Sequence, residues 1–562
     1  MITRGVLFAL LLIFTHNSGL CGDKRDKPRT PLAVAGDEIL QSSGLRTSAY
    51  PSLYSGGPGD SICFTFYDFG TNGSPLRNLI NYGDGTLMMG RMAAHDSLSL
   101  IRGAFCSCSI DGGASWEPCS GPINPTRTGW ANVDQFVDAG GVAVIVEHIG
   151  IAHIEAARCA NVWSTGGSCS YFWPRVAVGG GFTVHIIFSP TSPPSQLEYC
   201  KSSDAGSTWV PSIPICTTPG IFQDADAYDI TARGSHVVIV CAGAGGDVAL
   251  VRSTNAGETW TESIIYDIDE TLLTPDQFVP DGSCAVILDG NDNPQVVWGT
   301  YYAPGDGQVY VSFDAGIMYW SEATGIDTIA LPLEDSTICV PECRDGNYAT
   351  GADIGVDDGG ALYVIYSQVI PLEDSNSSCH EHIYSVGSLD GGFTWGQPVD
   401  ITPGTGFDAT FPSLADLVDN NLHLVYNCDP LPGCNDPFPG NAVRGAISPI
   451  AVAIMYLQVP ATTVVGVSDD KADSPTSFVF EQNYPNPFNS KTAISFQLSA
   501  VSQTSLVIYD LLGRRVATLV NEKLTPGTYT REWDATGQAS GVYFYRLSTT
   551  DFVQTKKLVL LR

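Results

Sequence analysis

The chain has 562 residues, enough for one large all-β domain and a smaller one, and its 44% hydrophobic content excludes general disorder. Its 27 Lys and Arg face 59 Asp and Glu, a net charge of −32. That balance excludes nucleic-acid binding, which needs clustered cations against a phosphate backbone.

Residues 1–22, "MITRGVLFALLLIFTHNSGLCG", read as a secretory signal peptide: Arg4, an apolar core Val6–Phe14, then small residues. Cys21 follows Leu20, where a lipidation signal wants a small residue, so no lipid anchor is expected. Residues 23–39 read as an N-terminal linker. No later stretch is long and apolar enough for a transmembrane helix. All sixteen cysteines lie at or before Cys434, and an exported chain forms disulfides by default. Cys159/Cys169, Cys200/Cys216 and Cys428/Cys434 are close enough in sequence to be expected as local bridges. Cys106/Cys108 and Cys339/Cys343 suit metal ligation in spacing, but no matching His/Cys cluster accompanies them.

From about residue 40 to 457 two motifs recur. The first is an octapeptide: "SIDGGASW" at Ser109–Trp116, "SSDAGSTW" at Ser202–Trp209, "STNAGETW" at Ser253–Trp260 and "SLDGGFTW" at Ser388–Trp395. A worn copy, "SFDAGIMYW", runs from Ser312 to Trp320. Asp111, Asp204, Asn255, Asp314 and Asp390 offer an oxygen that closes a turn on backbone N–H groups. The glycine two residues on supplies positive φ. Trp116, Trp209, Trp260, Trp320 and Trp395 would bury a large ring between neighbouring units. These residues build a turn and carry no catalytic group.

The second motif is a Gly/Asn/Asp turn followed by a β-branched strand: "GDGTLMMG" from Gly83, "GGVAVIVEH" from Gly140, "GGFTVHIIF" from Gly180, "RGSHVVIV" from Arg233, "NDNPQVVWG" from Asn291, "DGGALYVIY" from Asp358 and "DNNLHLVY" from Asp419. Seven such units predict radial β repetition, each unit a four-stranded propeller blade with the octapeptide joining its last two strands. The octapeptides resemble Asp-boxes, also called BNR repeats, of sialidase-like β-propellers. That family has six blades, so the count here stands at six or seven, with the Gly140–Gly181 region as the candidate for an insertion.

After a polar linker at 458–473 the composition changes. Residues 474–562 hold nine Lys/Arg against six Asp/Glu, a net +3, and no cysteine, leaving −35 on the rest. The alternating runs "TAISFQL", "SLVIYD", "RVATLV", "GTYTREW", "GVYFYRL" and "TKKLVLL" predict a small Ig-like sandwich. With "NYPNPFNSKTAISFQL" and the terminal "KKLVLLR", this region resembles the type A C-terminal sorting domain of the type IX secretion system, and is similar to FlgD-type Ig-like domains. The resemblance implies type IX machinery as partner, export to the medium or the outer surface of a Gram-negative bacterium, and removal of the tail between about Val459 and Ser474.

Sialidases clamp a carboxylate with three arginines and use an Asp acid/base and a Tyr nucleophile assisted by Glu. On that resemblance Arg77 matches the first clamp arginine and Asp96 the acid/base, although Asn78-Leu79 replaces the family's Ile-Pro. Arg77→Ala would then cost function and little stability. Glu147, Arg175, Arg444 and Tyr426 are available but unplaced by any motif. His148, His153 and His185 sit in strand-like runs, as packed residues do. "LDGNDNP" at Leu288–Pro294 has calcium-like oxygens without EF-hand spacing and reads as a hairpin turn, so no cofactor is indicated. These features favour an exported propeller that binds an extracellular glycan or protein ligand. A sialidase-like exo-glycosidase and a non-catalytic surface structural protein are the alternatives.

Overall fold

The computed structural model describes residues 56–464 and 479–561, apart from stretches that include 219–224, 269–276, 334–347, 372–378 and 431–446. The signal peptide, Cys21, Cys169, Cys339, Cys343, Cys434 and Arg444 lie outside the described residues. The chain divides into two compact units, residues 1–386 with 398–464, and residues 387–397 with 465–562.

The first unit is a propeller of seven sheets. The fourth blade shows the plan: Tyr228–Arg233, His236–Cys241, Val248–Ser253 and Thr261–Tyr266 pair antiparallel in sequence order. Its second strand, "HVVIVC", is a continuous apolar run because both faces are covered by neighbouring blades. Val238, Val240 and Leu250 pack there with Val286, Val296 and Trp298 of the fifth blade. The seven innermost strands are Leu79–Asn81, Asn132–Phe136, Phe172–Val178, Tyr228–Arg233, Gln277–Leu288, Ala349–Asp357 and Asp408–Leu414. Each touches the next, and Leu79–Asn81 meets the last blade through Asn421–Asp429, so the ring closes. The hairpins at Gly140 and Gly180 belong to the second and third blades, and neither is an insertion.

The last blade takes its outer strand from the start of the propeller: Asp60–Tyr67 pairs antiparallel with Ile447–Pro460. A Cys63–Cys119 disulfide ties that strand to the first blade. Cys108–Cys159 joins the first blade to the second, and Cys216–Cys241 the third to the fourth. These three bridges are therefore staples between blades. This corrects the expected local pairs, since Cys159 and Cys216 have other partners and Cys428 is a buried free thiol. The strands of adjacent blades lie face to face, which brings distant cysteines closer than sequence neighbours.

In the second unit Val479–Phe480, Lys491–Leu498 and Gly527–Asp534 form one sheet, and Arg515–Leu524, Ser502–Tyr509, Gly541–Ser548 and Val553–Leu560 the other. Ile494, Phe496, Leu506, Trp533, Tyr545 and Leu558 fill the space between them. The "NYPNPFN" run is fastened by its own side chains. Asn483 donates to Thr492 Oγ1 at 2.9 Å, Asn486 Oδ1 accepts the Val559 N–H at 2.9 Å, and Phe488 is buried.

Candidate functional site

Four octapeptides form one hydrogen-bond net, each between the third and fourth strand positions of its blade. In Ser202–Trp209, Asp204 Oδ1 accepts the Thr208 N–H at 2.8 Å and Oδ2 the Thr208 hydroxyl at 2.7 Å, while Ser202 Oγ accepts the Gly206 N–H at 2.8 Å. The same three bonds recur around Asp111 and Asp390, and Asn255 reproduces the net with its amide donating to Thr259 Oγ1. These bonds hold the Asp204 carboxyl at about 2, below its ordinary range. Gly113 (φ +89°) and Gly257 (φ +77°) are required twice over. Each has positive φ, and a Cβ there would strike Tyr456 or Tyr199 of the preceding blade. Trp116 and Trp260 lie against those same tyrosines, with centroids 4.9 and 4.7 Å apart.

Ser312–Trp320 does not repeat this geometry. Gly316 donates instead to Thr300 Oγ1 at 3.0 Å, and Trp320 lies inside the third strand, Ile317–Ser321. Asp314 and Trp320 are corrected accordingly: the segment enters the third strand, and the turn that leaves it is Ser321–Gly325, where Thr324 N–H bonds Ser321 Oγ. The one residue extra before Trp320 shifts the phase of the run, which is why its Asp-x-Gly does not build the same turn.

The axis of the ring is filled by charge in two layers. Nearer the ends of the inner strands lies Arg77, 8% exposed. It donates to Asp416 Oδ1 at 2.9 Å, to the Val176 carbonyl at 3.1 Å and to the Ile230 carbonyl at 3.3 Å, with Asp134 at 4.0 Å. Burial opposes its charge, but Asp416, Asp229 and Asp134 outweigh that and hold it protonated. Three axial aspartates in alternate blades, Asp229 and Asp353 buried and Asp134 partly so, each clasp the next blade through a main-chain N–H: Asp134 takes Val178 at 2.7 Å, Asp229 takes Val286 at 3.0 Å and Asp353 takes Leu414 at 2.8 Å. Burial pushes Asp134 up to about 6 and Asp353 up to about 8, and raises Asp229.

Nearer the strand starts, Arg175 faces Asp226 at 3.4 Å, both fully buried. Arg175 also donates to the Ser74 and Tyr228 carbonyls. Ser74 in turn donates its N–H to the Asp226 carbonyl at 2.9 Å, and its Oγ accepts the Cys284 N–H at 3.0 Å. The segment around Ser74 thus crosses the axis and joins the third, fourth and fifth blades.

Asp96 is elsewhere. Asn78 faces Gly90 in the first blade, which sets Arg77 level with Arg91. Asp96 is five residues further along, roughly 16 Å at a strand's rise per residue. It is half-buried and accepts the Ile101 N–H at 2.6 Å, closing the connection between two strands. The structure does not bring Arg77 and Asp96 together. Glu147 is buried, accepting the Ala104 N–H at 2.9 Å and the Thr128 hydroxyl and lying 3.2 Å from His153. His148 stacks on Trp130 at 4.4 Å, and burial drives its pKa well down. His185 bonds the Tyr199 hydroxyl, burial lowering its pKa to about 3, and Tyr426 is fully buried. Asp289 Oδ1 accepts the Asn291 and Asn293 N–H groups, so "LDGNDNP" is a hairpin turn.

The axial aspartates escaped the sequence reading. The signal available was an acid set inside an otherwise apolar inner strand, as in "NVDQF", "YDITAR" and "ATGADIGVD".

Among solved structures the chain is similar to the NanB sialidase of Streptococcus pneumoniae, at 10% identity over 72% of this chain and 71% of that one, with a TM-score of 0.36. A protein of unknown function from Dyadobacter fermentans covers 64% of this chain and 94% of its own at 12% identity, TM-score 0.30. The alpha-L-arabinanase of Cellvibrio cellulosa covers 45% and 85% at 12% identity, TM-score 0.27. At TM-scores this low the likeness assigns no activity. No curated protein matches the chain. No helix among the described residues is long and apolar enough to cross a membrane. Residues 482–561 match the secretion system C-terminal sorting domain, so the chain carries that domain behind its propeller and is an exported protein.

Proposed function

We propose that the protein is an exported propeller that binds an extracellular glycan or protein ligand without hydrolysing it, and that its tail delivers it through type IX machinery to the medium or the outer surface of a Gram-negative cell. The observation that carries the reading is the engagement of Arg77. Its buried guanidinium is engaged by Asp416, itself 37% exposed, and by two main-chain carbonyls, so clamping a ligand carboxylate would mean displacing Asp416 and breaking those bonds. Removal of the tail falls after Val464 on this reading, because Val459 pairs with Leu422 in the seventh blade and Val464 is buried.

The test is a glycosidase screen on the purified exported protein, with sialosides and neutral glycosides, beside a glycan and protein binding array. Binding without release of free sugar is expected, with an intact mass that ends between 465 and 482. Sugar release that stays with the propeller through successive chromatographic steps would overturn the reading.

A further inference from the structure

The first and second blades enclose a groove of about 560 Å3 away from the axis. It exists because the first blade has no regular fourth strand, only a bridge between Cys106 and Ser120. The gap is closed on the far side by the turn after Ile151–Glu155 in the second blade. A volume of this order suits a bound ligand.

The lining has a consistent chemistry. Met88, Ile110, Trp116 and Pro118 give apolar walls, and the only charged residues are Glu117 and Glu155. Ile110 is 78% exposed, an apolar side chain held at the mouth. Glu155 is 3% exposed. Its Oε1 accepts the Asn161 N–H at 3.0 Å and so holds the turn; the main-chain N–H groups of Cys159, Ala143 and Ala160 also act on the carboxyl, but Oε2 is buried and makes no hydrogen bond of good geometry. A buried carboxylate oxygen left without a donor is costly unless a ligand supplies one. Burial accordingly raises the Glu155 pKa. The nearest cation in sequence, Arg158, is committed to Asp84 and lies over the Tyr82 ring at 4.0 Å. The indole nitrogen of Trp116 is also without a partner, but so are those of Trp209 and Trp260, which makes it a property of the octapeptide and no mark of this groove.

We propose that this groove receives a lysine or arginine side chain presented by an extended segment of a partner protein, with the cationic head on Glu155 Oε2 and the aliphatic stem along Met88, Ile110 and Pro118. The groove exceeds one side chain in volume, so flanking residues of the segment enter as well. Charge complementarity selects this occupant: the lining offers only negative charge, and the protein as a whole carries −32, which draws cationic partners. The proposal rests on the reading of the propeller as a binder and names one of its partners by chemistry.

The test uses the full chain and a blocked pentapeptide with a central lysine among alanines, with norleucine and ethylammonium as controls, followed by calorimetry at low salt. The lysine peptide is expected to bind about tenfold or more tightly than its norleucine counterpart. Glu155→Gln keeps an acceptor for Asn161 and removes the charge, and should weaken the lysine peptide by a similar factor. Ala160→Trp fills the groove with Glu155 intact and should abolish binding at an unchanged melting temperature. Equal binding of the norleucine peptide, indifference to both variants, or no binding of lysine or arginine peptides into the millimolar range would overturn the proposal. Ethylammonium binding as tightly as the peptide would overturn the protein partner. Sugar release in the glycosidase screen speaks to the function proposed above and leaves these outcomes standing.

Discussion

The rim and the axis of this propeller are built on opposite economies. On the rim, four turns repeat one net of bonds with interchangeable parts: Asp or Asn, Thr or Ser, and a glycine whose N–H meets the leading serine. Each turn satisfies itself, and its bonds close within eight residues. On the axis the blades contribute charges of two kinds that depend on one another. The first gives Arg77, the third Arg175, the second, fourth and sixth an aspartate that reaches into the following blade. Local satisfaction permits the same turn in every unit that carries it, whereas a shared charge balance requires members of opposite sign, so the aspartate recurs only in the second, fourth and sixth blades and arginines enter from the first and third. A repeat protein can thus copy one device along its rim where bonds are local, and must vary its devices where all units meet.

That contrast predicts unequal costs. Arg77→Met should be the most damaging single change, because it leaves Asp416, Asp134, Asp229 and Asp353 facing one another without their shared cation. Loss of one side of a fully buried pair costs about 3–5 kcal/mol, and with Asp416 37% and Asp134 21% exposed the cost here should fall at the low end, about 3 kcal/mol, read as a shift in the urea midpoint. The sequence-level expectation for this residue was the reverse, little stability lost. Trp260→Ala should cost less, about 2–3 kcal/mol, since the ring is only partly buried against Tyr199. Ser253→Ala should cost about 1 kcal/mol, by leaving the Gly257 N–H without its acceptor inside an otherwise intact turn. If Ser253→Ala proved worse than Arg77→Met, the rim would be the keystone and the contrast would fail.

The same contrast explains what could be read in advance. Seven inner hairpins, the four well-formed octapeptides and the six long strands of the tail were legible because their signals are periodic and local: a turn residue, then a β-branched run. The Ser312–Trp320 segment misled because the pattern was matched through residue identity while the spacing to Trp320 had changed. The outer strand Asp60–Tyr67, the disulfide partners and the axial charge cluster were not legible. Each depends on residues tens to hundreds of positions apart, such as Arg77 with Asp416, and no local rule carries that information.

The pH dependence of stability probes the axis most finely. Asp353 is buried, and burial lifts its pKa from 3.8 to about 8, so the folded chain holds this proton more tightly than the unfolded chain does. Between those two values the folded state binds the extra proton, and stability must fall as pH rises through the window. One such group contributes a slope of at most about 1.4 kcal/mol per pH unit, set against every other carboxylate whose shift runs the other way. Asp353→Asn keeps an oxygen for the Leu414 N–H and removes the titration. Melting temperature measured from pH 4 to pH 8 should therefore decline less steeply in the variant than in the parent, and the variant should be the more stable of the two at the alkaline end. Asp204→Asn on the rim is the matched control. Its carboxyl is held low by the Thr208 hydroxyl and N–H and stays ionised throughout the same range, so its substitution should leave the slope between pH 4 and pH 8 as it was. Parallel curves for parent and Asp353→Asn would mean that the axial carboxylates share their proton differently, and that Arg77 compensates them more fully than the separate roles of the blades suggest.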